Sequence, residues 1–389
     1  MNRRHFSKTL GAGVFGAVPL MQAAPAIAKS KPRAAESEKK QWAREHLRGL
    51  GSLVMPSFSP DFKSLDEEGI RLDIRHRIKQ GFCSTMVSAT GANAEQRKRI
   101  DEIVREEIQG KMLRSTIVSG NPDSAIASLK NAEKSGCTHA MVTFPGNLKP
   151  ETEEEVYAHY RKVIDSTSLP ILLYGRGVPS LRRFHPSGIP VNVFDRLADH
   201  PNVVGMKMTH AMPAGLAYEL CERLSDRILM GPVNLDLVPI LGQHYKNIQW
   251  SSQWISDSVQ SPDRPYGVEL FDLVRKGRMQ EAMKVYWQML PLIDLVYEIQ
   301  ARLLGADEPH PWQHMKYYQW VMGGNGGLLP LGNNESVPVL TSESRQRIRD
   351  TCKKVGITAD RPDEEFMVGR TAYARGVRAS ELTAKPHYV

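Results

Sequence analysis

Residues 171–207 read ILLYGRGVPSLRRFHPSGIPVNVFDRLADHPNVVGMK, and this stretch indicates the fold. It begins with a short apolar run (171–174), passes through a turn region rich in Gly and Pro to a helical pattern (191–199), and ends in a second β-prone run (203–207). A strand, a helix and a strand in this order predict two parallel strands joined by a crossover helix.

The same alternation continues in both directions from this unit. Eight strands are predicted, at residues 53–56, 85–88, 115–118, 140–144, 171–174, 203–207, 228–230 and 248–252. Eight helices are predicted between and after them, at residues 67–80, 94–109, 122–135, 151–166, 191–199, 213–224, 234–245 and 265–276. Eight such units in about 225 residues match a closed (β/α)₈ barrel, which typically takes about 250 residues. An open doubly wound sheet is the alternative, but its usual glycine-rich turn after the first strand is missing here.

We therefore predict an α/β protein with a (β/α)₈ TIM barrel over residues 51–277 and a C-terminal helical extension over residues 278–358. Helices are expected in this extension at residues 278–304, 311–322 and 342–355. Residues 359–389 are polar and weakly periodic, so we interpret them as a tail, with a neighbouring subunit as its expected packing surface.

The first 28 residues have the composition of an export signal. Arg3 and Arg4 precede a mild apolar stretch, which closes with Ala26-Ile27-Ala28, the small-x-small pattern of a cleavage site. The run Arg-Arg-His-Phe-Ser-Lys resembles a twin-arginine signal, so we expect the folded protein to be exported to the periplasm. Residues 29–50 are interpreted as a linker that precedes the barrel.

Composition excludes several other classes of protein. Cleavage after Ala28 removes three basic residues and no acidic residue, which lowers the net charge from +8 to +5. The remaining excess is spread along the chain, so we expect no nucleic acid as a partner. No apolar run reaches the roughly 18 residues of a membrane span, and we expect no membrane contact of the mature form. Four widely spaced cysteines and the absence of paired ligands argue against a metal or another cofactor.

Two consecutive predicted strands have a reactive side chain at their last residue. In barrel enzymes the reacting groups lie at the carboxyl ends of the strands, and here Tyr174 ends the fifth strand and Lys207 the sixth. Alternation places Lys207 on the same face as Gly205 and Val203. A lysine buried there should have a lowered pKa and could attack a carbonyl carbon as a neutral amine, with the tyrosine hydroxyl moving protons. A strand-end lysine that merely extends to solvent is the alternative.

Three segments resemble the dihydrodipicolinate synthase / N-acetylneuraminate lyase family of Schiff-base aldolases. Residues 173–180 and 202–207 are similar to its tyrosine and lysine signatures, and residues 88–92 (Ser-Ala-Thr-Gly-Ala) resemble its Gly-Thr-Thr-Gly-Glu loop. The resemblance covers residues from about 50 to 358 and implies a class I aldolase fold and activity. It makes Lys207 the Schiff-base lysine and Tyr174 the proton donor and acceptor.

Further binding roles follow from the resemblance or from position. The resemblance implies that Thr90 and Gly91 hold the carboxylate of a pyruvate-type 2-oxo acid, with Ser88 at the start of the same loop. An arginine for a substrate carboxylate is expected near Pro179, and we select Arg182, while Arg176 flanks the same proline. Gly231 and Ser252, at the ends of the seventh and eighth strands, are predicted pocket walls. The family also implies a homo-oligomer, either a dimer or a tetramer.

The sequence departs from the family at the proton relay. Ala89 stands where dihydrodipicolinate synthases carry a threonine, and residues 144–147 (Phe-Pro-Gly-Asn) lack their tyrosine after the fourth strand. Ala92 replaces the glutamate of the loop. We therefore expect a lyase other than dihydrodipicolinate synthase, acting by aldol cleavage or condensation. A sugar-acid dehydratase (hydro-lyase) using the same iminium and a non-catalytic exported binding protein are the alternatives.

Overall fold

The structure is a computed structural model, and it describes residues 36–209, 212–252, 254–300, 310–332, 335–358 and 360–389. The predicted signal peptide and its cleavage site lie outside these residues. From Ser37 to Val389 the chain forms one compact unit. None of the helices in the described ranges is long and apolar enough to cross a lipid bilayer.

Eight parallel strands form the centre of the molecule, and all eight were predicted. They are β1 (Gly49–Val54), β2 (Ser84–Val87), β3 (Leu113–Val118), β4 (His139–Val142), β5 (Ile171–Gly175), β6 (Val203–Met208), β7 (Leu229–Pro232) and β8 (Trp250–Ser252). Hydrogen bonding runs in the order β7-β6-β5-β4-β3-β2-β1-β8. The Ser251 hydroxyl donates to the carbonyl oxygen of Pro232 over 2.7 Å, so β8 also approaches β7. The strands therefore form a nearly closed barrel, which confirms the predicted TIM-barrel fold.

Helices alternate with the strands and continue beyond them. The barrel helices are α2 (Glu67–Lys79), α3 (Ala94–Ile108), α4 (Pro122–Lys134), α5 (Glu153–Ile164), α6 (Val191–Leu197), α7 (Ala214–Leu224), α8 (Leu237–His244) and α9 (Tyr266–Arg275), preceded by α1 (Glu38–His46). The C-terminal helices are α10 (Met279–Gln300), α11 (Trp312–Val321), α12 (Ser342–Lys354), α13 (Asp363–Val368) and α14 (Arg370–Ala374). Several starts are marked by side-chain caps, such as the reciprocal Asn93–Gln96 capping box of α3.

Helix α1 lies within the segment that we predicted as a linker, residues 29–50. Its residue Ala43 and the following Leu47 are fully buried in one apolar cluster with Leu172 and Trp250 of the barrel interior. The Gln249 amide, just before β8, donates to the carbonyl oxygen of Leu47 over 2.9 Å. Helix α1 therefore covers the amino-terminal opening of the barrel. Its mean hydropathy is low and its buried face narrow, which is why the sequence pattern resembled a linker.

The segment predicted as a tail, residues 359–389, instead packs on its own barrel from residue 360 onward. Phe366 of α13 is fully buried, and the Trp320 indole donates to Glu365 over 2.9 Å. The Thr371 hydroxyl donates to Asp66, just before α2, over 2.8 Å. These contacts join residues far apart in the sequence, so no local periodicity indicates them.

Candidate active site

Tyr174 and Lys207 face each other on neighbouring strands. The parallel register pairs Ile171 with Val203 but Leu172 with Gly205, and it then pairs Tyr174 with Lys207. The extra residue, Val204, packs in the interior cluster with Leu172, whereas Val203 packs outside the barrel. A bulge of this kind reverses the alternation locally. Our prediction that Lys207 shares its face with Gly205 is therefore confirmed, and the prediction for Val203 was wrong.

The Lys207 amine is buried beside an aromatic ring. The residue is 5% exposed, and its Nζ lies 4.9 Å from the centre of the Tyr174 ring. Burial lowers the pKa of Lys207, and the neighbouring Tyr174 opposes that effect only in part. Across the described ranges of the chain, Lys207 forms no ion pair with a carboxylate. A larger share of neutral amine is therefore available at Lys207 than on an exposed lysine.

The loop after β2 contains a hydrogen bond between two hydroxyl groups and a glycine packed closely against Pro330. Ser88 and Thr90 share a hydrogen bond of 2.7 Å between their hydroxyl groups. Gly91 has a φ of +80°, and a Cβ atom there would lie 2.9 Å from Cγ of Pro330. Only glycine suits this position, because the backbone is left-handed and Pro330 leaves no space for a side chain. The structure thus brings Ser88, Thr90 and Gly91 together, as the carboxylate-binding prediction requires.

Gly231 and Ser252 lie in the strand layer around Lys207. Gly231 is the β7 partner of Lys207, and a Cβ atom there would lie 2.7 Å from the ring of Trp250. Gly231 therefore leaves room for the Trp250 indole in the barrel interior beside the lysine. Ser252 is 3% exposed and pairs with Gly51 of β1. Trp250 was not singled out from the sequence. A large aromatic residue two positions before a strand end could have indicated a side chain in the barrel interior.

The two arginines near Pro179 have different surroundings. Arg182 is exposed at the end of the 3₁₀ turn Pro179–Leu181. Arg176 is half-buried, and its Nε donates to the Thr143 hydroxyl over 3.3 Å. The predicted carboxylate ligand, Arg182, is thus the more solvated of the two, and Arg176 is the one held at the barrel.

The segment after β4 places one polar side chain toward the barrel interior. Met141 packs in the interior cluster, so alternation turns Thr143, which is 4% exposed, to the same side. Phe144 turns away and packs against the rings of His159 and Tyr160. The threonine at this position was not singled out from the sequence.

Known proteins resemble this chain in sequence and in fold. Residues 46–228 match the family model described as the dihydrodipicolinate synthetase family. A 4-hydroxy-tetrahydrodipicolinate synthase of Thermodesulfovibrio yellowstonii is 29% identical over 238 residues, which are 59% of this chain and 76% of that protein. A protein of Pyrobaculum arsenaticum described as an uncharacterized DapA-like lyase is 26% identical over 261 residues, or 63% of this chain and 79% of that protein.

The solved structures agree on the fold. The crystal structure of a dihydrodipicolinate synthase from Thermotoga maritima superposes with a TM-score of 0.63, at 19% identity, over 80% of this chain and 99% of that one. Such low identity supports the barrel architecture alone, whereas the sequence matches relate residues 46–228 to the family. Residues 46–228 are therefore similar to the dihydrodipicolinate synthetase family, and the protein is a lyase of the Schiff-base aldolase type.

Proposed function

We propose that this protein is an exported lyase that acts on a pyruvate-type 2-oxo acid through a Schiff base on Lys207. One observation carries the proposal: a buried lysine without a carboxylate partner in the described structure stands 4.9 Å from the ring of a tyrosine at the mouth of the barrel. A cation in that position has a cost in free energy that a merely structural lysine would avoid by pairing.

The proposed reaction begins with the neutral Lys207 amine. Its nitrogen attacks the carbonyl carbon of the 2-oxo acid, and a proton moves to the former carbonyl oxygen to give a carbinolamine. Tyr174 donates a proton to that hydroxyl group, which leaves as water and produces the iminium. In a 4-hydroxy-2-oxo acid, the C4 hydroxyl then loses its proton to the Tyr174 phenolate as the bond between the third and fourth carbons breaks. The fourth carbon leaves in an aldehyde, and the electron pair of the broken bond passes to the iminium, which becomes an enamine. The resulting enamine is protonated and hydrolysed, which releases the shortened 2-oxo acid and the free lysine.

The substrate carboxylate is assigned to the loop of Ser88, Thr90 and Gly91. Loop hydroxyl and amide donors stabilise a carboxylate by charge-assisted hydrogen bonds. The relatives named 4-hydroxy-tetrahydrodipicolinate synthase suggest condensation of this acid with an aldehyde. Ala89 and the absence of a tyrosine among residues 144–147 argue for a different second substrate. Dehydration of a sugar acid through the same iminium is the second candidate reaction, and it differs only in breaking a C–O bond.

Borohydride trapping tests the proposal. The mature protein is incubated with pyruvate and sodium borohydride, and the mass increase is mapped by peptide digestion. We expect a single reduced adduct on Lys207 and none in Lys207→Arg, because a guanidinium remains protonated. Lys316→Arg, at a buried lysine that donates to Asp73, is the comparison variant. An adduct on another lysine, or none in the wild type, contradicts the Schiff-base mechanism and favours a binding protein.

We also propose export to the periplasm and assembly into a homo-oligomer. The paired arginines and the small-x-small site support export by the twin-arginine route. Replacing Arg3 and Arg4 with lysines should leave the precursor in the cytoplasmic fraction of fractionated cells. Periplasmic mature protein from that variant would indicate a different export route. Light scattering of the mature protein distinguishes a monomer from the expected dimer or tetramer.

A further inference from the structure

Pro330 packs directly against the loop that is assigned to the substrate carboxylate. A Cβ atom on Gly91 would lie 2.9 Å from Cγ, 3.0 Å from Cδ and 3.1 Å from the carbonyl oxygen of Pro330. Ser88 and Thr90, whose hydroxyl groups share a hydrogen bond, precede this glycine in the loop. Because packed atoms leave little free space, Pro330 limits how far the backbone of the loop can move.

The chain makes a tight turn at Pro330. The N–H of Leu331 donates to the carbonyl oxygen of Leu329 over 2.9 Å, so Pro330 is the central residue of a three-residue γ-turn. The pyrrolidine ring restrains φ to about −65°, which is close to the roughly −75° of an inverse γ-turn. Proline therefore suits the turn by its conformation and the contact with Gly91 by its ring.

The residues before this turn are held by residues 363–371, which we name the C-terminal segment. The N–H groups of Gly327 and Leu328 donate to the carbonyl oxygens of Phe366 and Met367 over 2.7 and 3.1 Å. Phe366 is itself fully buried, so the acceptors are anchored in the core. The chain therefore reaches the turn from a fixed direction.

Thr371 fixes the start of the same stretch of chain. Asn325 is fully buried, and its Oδ1 accepts from the backbone N–H of Thr371 over 2.9 Å. The Thr371 hydroxyl, which donates to Asp66, also lies 3.0 Å from this oxygen. The amide of Asn325 donates to the hydroxyl of Ser57, in the loop after β1, over 3.1 Å. Thr371 thus ties the C-terminal segment to the barrel at the point from which residues 326–330 extend.

We infer that Pro330 is a positioning residue for the substrate carboxylate and that the C-terminal segment holds it in place. This inference rests on the proposed function, since it takes the loop after β2 as the carboxylate site. Both parts lie beyond residues 46–228, the part of the chain that matches the family model. Donors held in position before the substrate arrives bind a carboxylate more tightly, because less order has to be imposed on binding. Pro330 acts on binding and leaves the chemistry at Lys207 unchanged.

Pyruvate and pyruvamide test the inference, because they share the reacting ketone and differ in the carboxylate. Trapping with sodium cyanoborohydride, which reduces an iminium in preference to a ketone, is measured over a range of concentrations of each compound. We expect the wild type to half-saturate with pyruvate at a concentration lower by about tenfold to a hundredfold, the range for hydrogen bonds to a charged group.

Pro330→Ala keeps the backbone carbonyl but removes Cγ and Cδ. The ratio of the two half-saturating concentrations should fall by about threefold to tenfold, the cost of ordering one more residue on binding. The rate of trapping at saturating pyruvate should stay at the wild-type value. Pro386→Ala is the control, because Pro386 contacts Gln313 of α11, and it should keep the wild-type ratio.

Thr371→Val and Thr383→Val are a matched pair that tests the support of the turn. Thr371→Val removes the hydroxyl beside Asn325 and should lower the ratio by about threefold, the value of one hydrogen bond. Thr383→Val should leave the ratio unchanged, because that hydroxyl lies on the surface, 3.5 Å from the carbonyl oxygen of Pro60. In Pro330→Ala, Thr371→Val should lower the ratio no further, since the contact that it supports has gone.

The possible outcomes separate the inference from the function on which it rests. If the wild type traps neither compound, the proposed function fails and the inference with it. If it traps both at equal concentrations, the Schiff base stands and the carboxylate assignment and the inference are overturned. The inference alone is overturned if Pro330→Ala keeps the wild-type ratio, weakens both compounds equally or slows trapping at saturation. Additive losses in the double variant would overturn the role of the C-terminal segment.

Discussion

Among the residues that the structure describes, two lysines are buried, and their surroundings differ. Lys207 has an aromatic ring as its neighbour and no carboxylate in the described structure. Lys316 of α11 is 0% exposed, and its Nζ donates to Asp73 of α2 over 3.0 Å. Its other acceptors are the Met55 carbonyl oxygen and the Ser57 hydroxyl, both at 3.3 Å. Burial therefore does not identify a nucleophile by itself, and the partner of the amine decides its role.

The hydrogen bonds of Lys316 connect helix α11 of the C-terminal region to the barrel. Asp73 also lies 3.6 Å from Arg77, and Arg77 lies at the same distance from Asp257, which follows β8. Burial lowers the pKa of Lys316, while its ion pair with Asp73 opposes that effect. The cluster of Asp73, Arg77, Asp257 and Lys316 is thus an internally compensated network, whereas Lys207 has no ion pair with any residue that the structure describes.

The comparison predicts that the same substitution lowers the free energy of unfolding much more at Lys316 than at Lys207. Lys316→Met should lower the free energy of unfolding by about 3–5 kcal/mol, because it leaves Asp73 buried without its nearest cation. Lys207→Met should cost less than about 1.5 kcal/mol, because an apolar chain of similar length replaces an unpaired amine. Urea unfolding of both variants gives the two values. An equal loss in both variants would contradict the comparison and make Lys207 a structural cation.

The ring beside Lys207 provides the second prediction. Tyr174→Phe keeps the ring near Nζ and removes only the hydroxyl, so adduct formation should slow by about 10²–10⁴, the usual contribution of a positioned acid–base group. Single-turnover trapping with pyruvate measures the rate. A wild-type rate in the variant would mean that Tyr174 is only a wall of the pocket.

Ala89→Thr is the companion variant to Tyr174→Phe. It restores one member of the family relay while residues 144–147 still lack the tyrosine, so we expect little change in rate. A several-fold faster turnover in Ala89→Thr would reveal another relay partner and reopen the dihydrodipicolinate-type reaction.

The last prediction concerns how the carboxylates of the compensated cluster make stability depend on pH. Burial raises the pKa of Asp257 to about 6, whereas Lys316 and Arg77 outweigh burial at Asp73 and leave its pKa lowered. The folded protein thus holds the Asp257 proton more tightly than the unfolded chain, whose aspartates titrate near 3.9. Stability from this group is present below about pH 4 and is lost as the pH rises through about 6.

Asp257→Asn should therefore gain stability relative to the wild type across this window. The gain expected between pH 4 and pH 7 is about 1–3 kcal/mol, from urea midpoints measured at both values. Asp73→Asn is the matched comparison, and it should lose stability relative to the wild type over the same rise in pH. A constant difference between Asp257→Asn and the wild type would show that Asp257 is ionised throughout.

Local patterns predicted the barrel because each strand and helix carries its own periodicity. Apolar runs such as 171–174 and 203–207 are buried on both faces, as parallel strands are, and helix starts such as Asn93 carry their caps beside them. Helix α1 and the segment after residue 360 were predicted as a linker and a tail. Their packing depends on residues distant in the sequence, such as Gln249 for Leu47 after α1 and Asp66 for Thr371.

The sequence by itself determined that Tyr174 and Lys207 lie at the carboxyl ends of consecutive strands, each one residue before the last, and parallel pairing then makes them neighbours. The tertiary structure decided the rest of the site. The bulge at Val204 decides which residues of β6 face inward, and a hydrogen bond to Thr143 holds Arg176 at the barrel while Arg182 is exposed. Asp73 makes Lys316 a paired cation, and no residue of the described chain does the same for Lys207. The physical reason is that charge compensation and side-chain direction depend on groups that come into contact only after folding. The periodicity of strands and helices, by contrast, can be recognised from residues that are close together in the sequence.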